Sequence, residues 1–124
     1  MRPLPFPQTI ELERGEAFQL YMAVATVWQN ATQAVRQEPP QPLELGLLLA
    51  LPLMNRLGKR LHKVCESDAC QVGKPRRKPR AFHLSCEEVA VVTRHVLPVA
   101  DLLARPVLGK VQQKSLNLAQ YISF

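Results

Sequence analysis

Apolar residues recur at three- and four-residue steps along most of the chain, and that spacing predicts helices. Between residues 15 and 37, Phe18, Tyr21, Val24, Ala25, Trp28, Ala31 and Val35 make one stripe, which marks a first amphipathic helix. Glu38-Pro39-Pro40-Gln41-Pro42 stops it, because a residue that precedes proline avoids the α region. A second helical stretch is predicted over 43–65. Its first half, Leu43 to Leu51, is apolar nearly all round and so calls for burial on several sides. Pro52 either kinks this helix or opens a new one in its first turn. Beyond it, Leu53, Leu57, Leu61 and Val64 lie on one side and Arg56, Lys59, Arg60 and Lys63 on the other.

Ser85-Cys86-Glu87-Glu88 reads as a capping box. The Ser85 hydroxyl accepts from the backbone N–H of Glu88, whose carboxylate reaches back to the N–H of Ser85. Leu84 and Val89 supply the matching hydrophobic staple. A third helix is therefore predicted from Cys86 to His95 or Leu97, kinked or ended by Pro98, with a short helical continuation over 99–104. Pro106 opens a last helix in which Leu108, Val111, Ser115, Leu118 and Ile122 share a face. Prolines at 3, 5 and 7 predict an extended arm over 1–13. Residues 66–83, with five cations and two prolines between Gly73 and Arg80, predict a mobile, solvated loop. No strand-like alternation, hairpin signal or internal repeat stands out. The expectation is all-α: a single domain over 1–124, a compact bundle of four to five helices with a long basic loop between the second and third.

Composition adds bounds. A chain of 124 residues, 47% hydrophobic and 21% charged, can bury one core, and with only 6% aromatic residues that core must be mostly Leu, Val and Ala. The segment Met1-Arg2-Pro3-Leu4-Pro5-Phe6-Pro7 has no long apolar core and no small-residue cleavage site, so a secretory signal is not expected there. The longest apolar run, Leu45 to Met54, is about half of what a bilayer needs. Three cysteines suit a reducing compartment better than a disulfide framework. A soluble, cytoplasmic protein is expected.

Charge changes the picture more. The net charge is +6, yet residues 1–55 sum to −2 and residues 81–124 to +1, so residues 56–80 alone carry +7. Confined excess of this kind attracts phosphate or acidic protein surface far better than the same charge spread evenly. The stripe Arg56, Lys59, Arg60 and Lys63 leads into Lys74, Arg76, Arg77, Lys78 and Arg80, which together can track a nucleic-acid backbone. Phe82 is the only aromatic residue near these in sequence, so base stacking has little to work with, and contact should be to phosphates with weak sequence preference. The first helix carries Gln19, Gln29, Asn30 and Gln33 opposite its stripe and no charge between Ala17 and Val35. An uncharged amide face suits contact with another protein, where a charge would have to be desolvated.

A short, helical, basic chain with the cation set from Arg56 to Arg80 and a Gln-rich face over 19–33 resembles the small subunit of CRISPR effector complexes. The resemblance is one of type, carried by no specific motif. It implies a helical bundle lined up along a ribonucleoprotein and touching nucleic-acid backbone.

Enzyme chemistry finds little support. Cys86 near a helix start has Glu87 and Glu88 opposing a thiolate. No carboxylate pair sits in an apolar setting, and Gly73-Lys74 lacks the rest of a phosphate loop. His62, Cys65 and Cys70, then His83 and Cys86, flank the basic loop and offer a zinc set, although the spacing matches no strong finger pattern. Small buried cysteine is the commoner explanation. The sequence therefore predicts a non-catalytic, cofactor-free helical subunit or accessory protein that binds nucleic-acid backbone without sequence preference. It also meets other protein subunits or itself, and it has no small-molecule substrate and no membrane role. The alternatives are a protein-interaction adaptor that binds no nucleic acid and a small zinc-stapled domain.

Overall fold

Helices α1 (Glu16–Arg36) and α2 (Leu45–Cys70) form the frame of the molecule. They are joined by a short proline-rich link, and Tyr21 near the start of α1 meets His62 near the end of α2, so the two run antiparallel. Strand β2 (Arg80–Leu84), helix α3 (Cys86–Val91) and helix α4 (Arg105–Ile122) follow. The computed structural model describes residues 8–13, 15–37, 42–70 and 79–122, excluding the side chains of 68–70 and 117–122. Residues 1–7 of the extended arm expected over 1–13, and residues 71–78 of the loop expected over 66–83, lie outside the described residues.

One apolar cluster joins all of these elements. Leu20 and Val24 of α1, Met54, Leu57 and Leu61 of α2, Val89 of α3, and Val107, Leu108 and Val111 of α4 are fully buried in it. As the composition requires, it is built from aliphatic side chains, with Phe82 the one buried aromatic residue among the described residues. The helical bundle is the one the spacing predicts.

The bundle also holds a small sheet that the pattern did not announce. Strand β1 (Gln8–Leu12) pairs antiparallel with β2, with Ile10 opposite Phe82 and Thr9 opposite His83. Each strand buries two alternate residues, Ile10 and Leu12 in one, Phe82 and Leu84 in the other. Two apolar residues per strand are too few to register as alternation, and the partners lie 72 positions apart at the Ile10–Phe82 pair.

Other boundaries also shift. No breaker follows Cys65, so α2 continues to Cys70 and runs through Pro52 without interruption. Its apolar first half is not enclosed: Leu45 and Leu49 are each 69% exposed, and Leu48 is exposed as well. Ala50 on the same stretch is buried. On α1 the buried side is Ala17, Leu20, Val24 and Ala31, whereas Phe18 and Val35 of the expected stripe face outward.

The capping box forms as the sequence predicts. Ser85 Oγ accepts from the Glu88 N–H at 3.1 Å, and Glu88 Oε1 accepts from the Ser85 N–H at 2.8 Å. After α3 the helix widens into a π-turn over Val92–Val96, where the Leu97 N–H reaches the carbonyl of Val92, and then tightens to a 3₁₀ turn over Leu97–Val99. Pro98 has no N–H to continue an α-helical ladder, which accounts for the change of pitch there. A second 3₁₀ turn, Leu102–Ala104, leads into α4. Lys110 of α4 ties that helix to the start of the chain, donating to Glu16 Oε1 at 2.6 Å and to the carbonyl of Glu11 at 2.7 Å.

Candidate nucleic-acid interface

The cationic stripe of α2 divides in two. Arg56, Lys59 and Lys63 stand on the exposed face of the helix, and among the described residues no ion pair reaches them. Arg60, expected in the same set, turns the other way. Its Nη1 donates to both carboxylate oxygens of Glu88 at 2.8 Å, and its Nη2 donates to the carbonyl of His83. Its guanidinium carbon lies 4.8 Å from the centre of the Phe82 ring. Arg60 thus clamps α2 to β2 and to the buried end of α3, and its charge is compensated within the fold. Arg80 is likewise turned inward: half-buried at the start of β2, it donates from Nη2 to Ser67 Oγ at 3.3 Å. Lys74, Arg76, Arg77 and Lys78 lie outside the described residues. The continuous outward row expected from Arg56 to Arg80 is therefore, among the described residues, the shorter set Arg56, Lys59 and Lys63.

Beside that set the structure opens a cleft that the sequence did not disclose. It lies between α1 and α2 and has a volume of about 500 Å³. Tyr21, Trp28 and Gln29 line it from α1; Asn55, Gly58, Lys59, His62 and Lys63 line it from α2. The Tyr21 and His62 rings pack with centroids 5.5 Å apart at a tilt of 54°. His62 Nδ1 lies 3.2 Å from Glu66 Oε1, so the one carboxylate on the rim among the described residues is engaged by a side chain of its own helix. Gly58 forms part of the floor, and a Cβ added there would meet no atom within 4 Å.

The aromatic content of the surface therefore corrects the expectation. Phe82, near the basic segment in sequence, is buried and covered by Arg60. The rings that do border the cationic row are Tyr21 and Trp28, brought across from α1 and only half-buried. A signal was present in the helical angles. Taking ~100° per residue, Tyr21 and Trp28 stand roughly 80–100° round the helix from Leu20, at the edge of the core side. A glycine inside α2 at position 58 was the second sign.

The amide residues of α1 sit where the sequence placed them, on the outer ridge. Gln29, Asn30 and Gln33 are exposed and Gln19 is half-buried. Gln29 borders the cationic cleft on one side of that ridge. Gln19 and Asn30 border a second, more apolar groove on the other, with Phe18, Met22, Val99 and Leu103.

The candidate zinc set does not assemble among the described residues. No group of three or more His, Cys, Asp or Glu side chains able to hold a metal occurs there, and the side chain of Cys70 lies outside them. Cys65 packs against the core from α2, Cys86 opens α3, and the His83 ring shares a 2.8 Å hydrogen bond with Thr9 across the sheet. Among the described residues no helix is long and apolar enough to cross a membrane. Comparison with protein-family models, curated proteins and solved structures finds no match for the chain.

Proposed function

We propose that this chain is a non-catalytic helical subunit or accessory protein that contacts the nucleic-acid backbone, as part of a larger nucleoprotein assembly of the kind its size and charge resemble. Phosphates are met by Arg56, Lys59 and Lys63, extended in sequence by Lys74, Arg76, Arg77 and Lys78. The observation that carries the reading is the contrast along one helix. Arg60 is paired with a buried carboxylate, while three neighbouring cations stand exposed with no ion pair among the described residues. Unpaired cations in a row lose little by giving up water for phosphate and release counterions when they do so. Contacts of this type position a strand without reading it.

The test is equilibrium binding of random-sequence oligonucleotides at two salt concentrations, with wild type and an Arg56→Gln/Lys59→Gln/Lys63→Gln variant. The variant should bind every sequence more weakly by a similar factor. Unchanged binding would contradict the reading.

A protein contact on the other side of α1 belongs to the same proposal. Phe18, Met22, Val99 and Leu103 are exposed around the second groove, next to the uncharged amide ridge. Large apolar side chains bordered by uncharged polar ones are what a protein interface covers. In a pure adaptor this groove would be the functional surface and the cationic row would be inert toward nucleic acid.

A further inference from the structure

We infer that the cleft between α1 and α2 receives an unpaired base, so that the nucleic acid this protein holds is single-stranded. The inference rests on the backbone-binding reading above and names its substrate class. Three features converge on the cleft. Tyr21, packed against His62, and Trp28 line one wall with half-buried rings. Lys59 and Lys63 stand on the opposite wall, spaced one helical turn apart along the rim. Asn55 and Gln29 add amides, each of which both donates and accepts, at the same opening.

The volume of about 500 Å³ is ample for a planar heterocycle with its sugar. A base within a duplex keeps both faces stacked on its neighbours and cannot enter a cleft between two helices. An unpaired base can leave its stack and lay one face on an aromatic side chain, while phosphates on either side reach the two lysines. Charge alone would leave this pocket without a purpose, since lysines on a flat surface neutralise phosphate equally well. Among the described residues Glu66 is the only acidic side chain at the rim, and its carboxylate is turned to His62. Gly58 keeps the floor open at a position where almost any other residue would favour the helix more.

Trp28 is the only tryptophan in the chain, so tryptophan emission, excited selectively at long wavelength, reads this cleft alone. The experiment titrates the full chain with a single-stranded oligonucleotide and with an abasic strand of equal length and charge. The base-containing strand should quench Trp28 and bind tighter by about 5- to 150-fold, the span of one stacked base. Gly58→Leu, which fills the floor without altering charge, should remove most of that difference and leave abasic binding unchanged. Trp28→Ala should do likewise, and the Gly58 variant keeps the test valid if loss of Trp28 unfolds the protein.

Equal binding of both strands without quenching would overturn the inference while leaving backbone binding intact. Binding of neither strand would overturn both. Quenching by a mononucleotide, with no further affinity for the longer strand, would also overturn it, because the site would then belong to a free nucleotide.

Discussion

Arg60 and Glu88 form a two-point contact, with one guanidinium nitrogen 2.8 Å from each carboxylate oxygen. The carboxylate side chain is 8% exposed and also accepts the Ser85 N–H, so one buried acid both caps α3 and anchors α2. Removing Arg60 would leave that acid without its cation. Breaking a buried pair on one side costs about 3–5 kcal/mol, and the partial exposure of Arg60 lowers the expected loss to roughly 2 kcal/mol. Urea unfolding of Arg60→Ala should show a loss of this size. A change under about 0.5 kcal/mol, the range of an ordinary surface substitution, would mean the contact holds little.

Gly15 caps α1 with φ at 88°, in the left-handed region, and a Cβ there would meet nothing within 4 Å. The penalty for a side chain is therefore conformational, not steric. Gly15→Ala should lower stability by about 1 kcal/mol, and Gly15→Asn by less, because asparagine visits this region more readily. Thermal melts of the two variants check the order.

Gly58 presents the opposite case. It lies inside α2 with helical backbone and open space around the missing Cβ. Gly58→Ala should stabilise the protein by about 0.5–1 kcal/mol. A loss of stability would show that the cleft floor is closed at that point.

Much of this architecture was legible because it is local. The capping box spans four residues, and its reciprocal hydrogen bonds followed from their identities. The core positions Leu57 and Leu61 followed from helical spacing within one element. The sheet was not legible, because Ile10 and Phe82 meet only through a contact remote in sequence. The fate of Arg60 was hidden for a related reason. A helical wheel places it beside Lys63, but its side chain turns toward a carboxylate 28 positions on, and the wheel knows nothing of that neighbour. The aromatic wall of the cleft depended on the packing of α1 against α2, so Tyr21 and Trp28 read as core when they serve core and surface together.

The central claim is that the position of the cations, and not the net charge of the chain, sets affinity for nucleic acid. It is tested by comparing two variants that each lose two positive charges. Lys59→Gln/Lys63→Gln alters the cleft rim; Arg105→Gln/Lys114→Gln alters α4, which packs against α1, α3 and β1. The measurement is the slope of log affinity for a single-stranded oligonucleotide against log salt concentration. The first variant should flatten that slope by about 1.4, the equivalent of two lost phosphate contacts on a single strand, and the second should leave it close to wild type. Equal slopes in the two variants, or an unaltered slope in the first, would contradict the account.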